Sequence, residues 1–199
     1  MRRGAGGEGF SLPEILLALA VIGLALTAAA PALAQALARA RVGAAAREMA
    51  GEMARLRARA IASGRRVGLR FVRAEGRYGW TVYEDGDGDG VHADDIARGR
   101  DGRIDGPRDL ASRYEGVDFG LLDLALPDVP PGTGVLAPGS DPIRFGRSGI
   151  VTFTPLGTSS SGTLFVSDGR RMVVAVVVYG STGRIRVWRF ERASWRWVR

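Results

Sequence analysis

Two clusters in this 199-residue chain have side chains of types that do chemistry. The first is Asp85-Gly86-Asp87-Gly88-Asp89-Gly90. Carboxylates at alternate positions, followed by a glycine for the sharp turn, begin an EF-hand calcium loop. Counting from Asp85, the twelfth position should be a bidentate acid; it is Ile96, and Asp94 and Asp95 fall short of it. Nine acids stand against four arginines between Glu84 and Asp109, a balance that favours a cation. Asp85, Asp87, Asp89 and Asp94 are the candidate ligands, and a solvated Asp/Gly turn explains the same letters. The expectation is therefore no resident cofactor, with calcium at this loop as the alternative. The second cluster is Arg184–Arg199, with six arginines, one glutamate, and Trp188, Trp195 and Trp197 interleaved. On a strand Arg184 and Arg186 project from the same face, and paired guanidinium groups beside aromatics hold phosphates and stack bases. The tryptophans could equally complete a core edge or dock a neighbouring subunit. Ser159, Ser160 and Ser161 share a glycine-flanked turn, but His92 is the only histidine and lies in the acidic loop. Cysteine is absent, which excludes thiol catalysis, thiolate zinc and disulfides. The chain is not expected to be an enzyme.

The elements that must position these clusters fall into two very different halves. From Ile15 to Ala38 there is no charged residue, and Ile15–Ala34 is 20 residues of almost purely apolar chain. At ~1.5 Å per residue such a helix covers ~30 Å, the thickness of a bilayer's hydrocarbon. A secretory signal with cleavage at Ala32-Leu33-Ala34 is one reading. Glu14 argues for the other. A carboxylate against the first apolar turn costs up to ~3 kcal/mol if it sits deep, and only a retained helix that meets a cation offsets that cost. Cleavage between Gly9 and Phe10 would supply one as a new α-amino group.

Past Pro31 the pattern turns amphipathic: Val42, Ala46, Met49, Met53, Leu56 and Ala60 recur at spacings of four and three, with most charges away from that stripe. Ser63-Gly64 marks the helix end. From Val67 the period becomes two. Strands are predicted at Val67–Phe71, Trp80–Tyr83, Ile150–Thr154, Thr163–Ser167, Met172–Tyr179 and Arg184–Phe190, the last two forming a hairpin. Gly120–Pro142, with five prolines, reads as irregular connection. The predicted class is α+β, a long N-terminal helix packed on a mainly antiparallel β-domain. The segments are 1–9 leader, 10–38 transmembrane, 39–63 amphipathic and 64–199 β-rich.

Gly9-Phe10-Ser11-Leu12-Pro13-Glu14 before an apolar helix resembles the class III signal of type IV pilins and type II secretion pseudopilins. The resemblance implies cleavage after Gly9 by prepilin peptidase, N-methylation of Phe10, and a role for Glu14 and Pro31 in assembly with other pilin-like subunits. Pro31 is the twenty-second residue counted from Phe10, where that family commonly has one. The helix ending RLRARAIASGRRVGLRF, the VTFTPLG segment and Gly183-Arg184-Ile185-Arg186 together resemble the GspH/FimT group. That resemblance implies a minor pseudopilin in the inner membrane, its C-terminal domain in the periplasm, at or near the tip of a pseudopilus that drives protein export. The alternative it implies is a FimT-type minor pilin that binds DNA through Arg184 and Arg186. Charge alone does not orient the span, since Arg2 and Arg3 face Arg39, Arg41 and Arg47 across it. An inside N-terminus is what the resemblance implies.

Overall fold

The computed structural model describes residues 11–199; Gly9 and Phe10, the expected processing site, lie outside the described residues. The chain divides into two compact units, Met1–Leu37 and Ala38–Arg199. Helix α1 (Leu12–Ser63) contributes to both.

In the first unit the backbone N–H groups of Glu14 and Ile15 both donate to the Ser11 carbonyl. Pro13 falls in the first turn, where its missing N–H leaves no bond unmade. The helix continues through Pro31, and Thr27 Oγ1 donates to the Leu24 carbonyl at 2.8 Å. Among the described residues of this unit the large apolar side chains stay exposed: Leu24 is 74% exposed and Leu33 71%. An all-round apolar helix left bare in water would be untenable. The run is long and apolar enough to cross a membrane, and Glu14 is the acid in its first turn.

In the second unit α1 buries Val42, Ala46, Met49, Met53, Leu56 and Ala60, the predicted stripe, together with Ala45. Glu52 departs from the amphipathic reading: it is buried rather than solvated. Its carboxylate is held by the Arg55 guanidinium, with Arg108 at 3.9 Å. A buried charge survives only when so paired. Gly64, at φ 68°, ends the helix in the left-handed conformation, its N–H bonded to the Ala60 carbonyl.

The strands are β1 (Val67–Ala74), β2 (Arg77–Glu84), β3 (Gly102–Asp109), β4 (Asp118–Phe119), β5 (Leu126–Pro127), β6 (Val135–Leu136), β7 (Ile143–Arg144), β8 (Ile150–Phe153), β9 (Gly162–Ser167), β10 (Val173–Tyr179), β11 (Arg184–Glu191) and β12 (Arg196–Val198). A short helix α2 (Ala93–Arg98) lies between β2 and β3. One sheet runs β3-β2-β1-β8; a second runs β12-β11-β10-β9-β4, with β7 also on β9; β5 and β6 pair alone. Every named pairing is antiparallel.

Strand β10 explains its own uniformly apolar sequence. Val174, Val176 and Val178 join the core that includes the α1 stripe. Val173, Ala175 and Val177 join a second core with Leu122, Leu126, Val129 and Leu136. A strand covered on both faces loses the polar alternation. The irregular segment 120–142 is thus a cover for the outer face of the second sheet, with β5 and β6 its only strands. Strand β3 and helix α2 were not expected from the sequence. β3 is a sheet edge of polar composition, and an edge tolerates Pro107 because no ladder bond is lost there.

The β9–β10 turn is set by one carboxylate. Asp168 Oδ1 accepts the backbone N–H groups of Arg170, Arg171 and Met172 at 3.0, 2.8 and 2.9 Å. Burial alone would raise its pKa, but these bonds lower it below the ordinary value. The lowered value means that the stabilisation is present above the unfolded carboxylate's pKa of ~3.9 and is lost as the pH falls through the folded value. Asp168→Ala is therefore expected to lower the melting temperature at pH 7, with the difference from the parent shrinking below about pH 4 in thermal melts. A difference independent of pH would contradict the turn's dependence on an ionised carboxylate.

Candidate functional site

The Asp/Gly loop is built from the end of β2. Asp85 is buried, and its N–H bonds to the Arg66 carbonyl. Its Oδ1 accepts the Gly88 N–H at 2.7 Å, closing the turn from its first residue. Gly86 cannot be another residue: a Cβ there would meet the Arg100 carbonyl oxygen at 1.9 Å. Asp101, also buried, organises the loop from the far side by accepting the N–H groups of Gly86 at 3.2 Å and His92 at 2.9 Å. No spacing rule points to Asp101, because its partners lie 15 and 9 residues away.

One carboxylate oxygen from each of Asp85, Asp87 and Asp89 lies within 4.8 Å of the others. Asp94 does not join them; it is exposed in the first turn of α2, which corrects its expected place among the ligands. Asp95, one residue on, is buried and bound by Arg100 at 3.2 Å and Arg98 at 3.7 Å. The remaining acids are braced by cations of the chain itself, with Arg66 3.7 Å from Asp85 and Arg100 3.9 Å from Asp87. A hydrogen bond with Asp87, then slight desolvation and the Asp87 and Asp95 charges, raise the pKa of the exposed Asp89.

The Arg/Trp face lies on the second sheet. Arg184 pairs across from Tyr179, Arg186 from Val177 and Trp188 from Ala175, so the three share the face that segment 120–142 covers. Arg199 stacks its guanidinium 4.7 Å over the Trp188 ring. Partial desolvation, then the neighbouring Arg184 and Arg199 charges, lower the pKa of Arg186. Among the described residues no carboxylate lies within ion-pair distance of Arg184, Arg186 or Arg199. A cavity of about 300 Å³ lies over β9 and β10, lined by Asp128, Arg144, Thr163, Val177 and Tyr179 and by none of these three arginines. Asp128 and Arg144 pair at 3.0 Å in its wall.

The interleaved tryptophans separate into different roles. Trp197 is buried in the second core and donates Nε1–H to the Pro127 carbonyl at 2.8 Å, pinning the covering segment. Trp195 is 51% exposed. Gly183, the first residue of the Gly-Arg-Ile-Arg run, is structural. It sits at φ 59°, and a Cβ would meet the Gly157 carbonyl oxygen at 2.1 Å and Arg57 Nε at 2.7 Å. Arg57 reaches from α1 to bond the carbonyls of Gly157 at 2.8 Å and Thr182 at 3.2 Å, so helix and two turns close on that glycine.

The serine turn has the same character. Ser160 Oγ accepts the Thr152 N–H and Ser161 Oγ accepts the Gly180 N–H, bracing the β8–β9 connection rather than facing His92 in its separate loop.

Residues 45–183, which are 139 of the 199 (183 − 45 + 1), match the family described as type II transport protein GspH. No curated protein and no solved structure matches the chain. The matched region begins within the buried stripe of α1 and ends at Gly183, so it covers the first sheet and strands β4, β7, β9 and β10 of the second, while β11 and β12, with Arg184 and Arg186, lie beyond it. The match covers more than half of the chain, in which an exposed apolar helix long enough to cross a membrane continues into an amphipathic stretch and a β-domain, and the chain belongs to the GspH family of structural pseudopilins of type II secretion.

Proposed function

We propose that this chain is a minor pseudopilin at or near the tip of a type II secretion pseudopilus. It is made with a leader that prepilin peptidase removes between Gly9 and Phe10, and the Phe10 amine is methylated. The apolar part of α1 holds it in the inner membrane with the β-domain in the periplasm. On assembly, Glu14 of one subunit meets the N-terminal amine of another, and Pro31 shapes the helix within the bundle. The observation that carries this reading is the exposed apolar face of α1 with an acid in its first turn. Such a surface has to be buried in lipid or against other helices. Deleting the chain from its host should leave secreted enzymes stranded in the periplasm, and the parent gene should restore export. Unimpaired export would refute the role.

A second reading, a FimT-type minor pilin that binds DNA, is favoured by the unpaired Arg184, Arg186 and Arg199 beside Trp188. In the same deletion strain it requires loss of DNA uptake with export intact.

We propose further that the chain needs no resident cofactor, since Arg66 and Arg100 already brace the Asp85–Asp89 loop. Calcium at about 10 mM is expected to leave the melting temperature unchanged. A site with Kd near 1 mM would stabilise by ~1.4 kcal/mol, a rise of roughly 3–6 °C.

A further inference from the structure

Three turns of the second unit gather at one pole. Strand β1 leaves the C-terminal end of α1 and runs back along it, so the β1–β2 turn, where Ala74 pairs Arg77, lies at the far end. The β9–β10 turn lies there too: Asp118 pairs Ser167, and the Asp118 carboxylate feels the charges of Arg77 and Arg73. Val174 pairs Arg189, which brings the end of β11 and the β11–β12 turn alongside. The helix fixes which pole this is. Near its entry to the unit, Arg41 reaches Glu115 and Glu48 reaches Arg113 and Tyr114. Near its end, Arg57 reaches Gly157 and Arg59 reaches Glu84. The three turns are at the pole where the chain enters from its apolar run.

This pole is strongly basic. Arg73, Arg77, Arg170, Arg171, Arg192 and Arg196 are all exposed. Among the described residues none of the six is ion-paired. Four of the described acids lie beside them without an ion pair: Asp118 and Asp168 are half-buried and accept backbone N–H groups, Glu191 accepts from Ser194 and Glu75 is exposed, so the six arginines leave the pole net positive; Glu115 pairs with Arg41. At the opposite pole the relation is reversed, with Glu84, Asp85 and Asp95 paired to Arg59, Arg65, Arg66, Arg98 and Arg100. Between Ser194 and Arg196, Trp195 is held at φ 52°, a left-handed conformation rare for a bulky side chain. It is half exposed and packs edge-on against Phe190 at 5.3 Å. A half-exposed indole among arginines is the composition of a membrane–water interface.

We infer that this pole docks on anionic lipid headgroups, using the six arginines for charge and Trp195 as an interfacial anchor. The inference rests on the membrane-anchor reading above. A bilayer is favoured over nucleic acid because the chain's own apolar run is joined to this pole through Leu37–Ala38, which keeps a bilayer within reach. Docking would hold a subunit's domain against the membrane before assembly and release it on extraction into the filament.

The chain has no cysteine, so Ser194→Cys takes a single fluorophore, and Ser181→Cys in the β10–β11 turn marks the opposite pole. The full chain is reconstituted in vesicles of phosphatidylcholine alone or with about one-third phosphatidylglycerol, each carrying a headgroup quencher. Each arginine near an anionic surface is worth roughly fivefold in binding. The label at 194 is expected to be quenched at least about fivefold more in the anionic vesicles. The difference should vanish at about 0.5 M salt and in the Arg170→Gln/Arg171→Gln/Arg192→Gln/Arg196→Gln variant, with the 181 label indifferent throughout. The salt arm uses the parent chain and does not depend on the variant folding. Equal quenching in both vesicles would overturn the inference, as would a response to duplex DNA in place of phosphatidylglycerol. Failure of the parent chain to float with vesicles of either kind would overturn the anchor reading itself.

Discussion

A Glu14→Ala chain is expected to fold, to reside in the membrane and to be missing from the filament. The physical reason is a matter of pairing in lipid. A carboxylate among Leu12, Ile15 and Leu16, each at least 46% exposed to whatever surrounds the helix, is costly there unless a cation joins it. On the proposed reading that cation is the amine of a neighbouring subunit. Removing one partner of such a pair leaves the other charge buried alone, at ~3–5 kcal/mol, or a loss of roughly 10²–10⁴ in the assembly equilibrium. The monomer in lipid loses a charge it did not need, so its abundance should hold or rise. Quantifying the subunit in sheared or cross-linked filaments against total membrane protein reads both numbers. Glu14→Gln, which keeps the shape and removes the charge, should fail equally; incorporation of either variant at the parent level would contradict the pairing.

Gly183→Ala is expected to be among the most damaging of small changes in the β-domain. The residue occupies a left-handed conformation, which costs an L side chain ~1–2 kcal/mol. Its added methyl would also press on the Gly157 carbonyl at 2.1 Å and on Arg57. A backbone carbonyl cannot rotate away as a side-chain tip can, and Arg57 is committed to the Gly157 and Thr182 carbonyls. A total of about 3 kcal/mol or more follows, a fall of roughly 6–12 °C in melting temperature for a unit of this size. Gly169→Ala supplies the comparison. It has a similar φ of 68° but open space around its Cβ, so it should show the backbone cost alone. Equal losses at the two glycines would contradict the close approach at Gly183. The same comparison bears on motif reading: a damaged Gly183 variant that also loses DNA binding has not shown that the Gly-Arg-Ile-Arg run touches DNA.

What could be read in advance followed from local periodicity. The α1 stripe was legible because packing on one side imposes alternating spacings of four and three, and the valine run of β10 because apolar cores meet both its faces. What escaped depends on partners remote in sequence. Glu52 looked solvated because Arg108 is 56 positions away (108 − 52). β3 was hidden by its polar edge composition. The acidic loop was half legible: Asp85, Asp87 and Asp89 converge as their spacing suggests, whereas Asp94 is carried off by a helical turn and Asp101 enters from beyond it. The basic pole was invisible, since its arginines come from three turns that only the sheet order brings together.

The central claim is that the apolar stretch is retained and that its new N-terminus begins beside Glu14. Intact mass and N-terminal sequencing of the protein extracted from host membranes measure this directly. The account predicts a chain that starts at Phe10, heavier by one methyl group on its amine. A chain that starts at Gln35 would have lost the helix, the acid and the anchor together, and would contradict it.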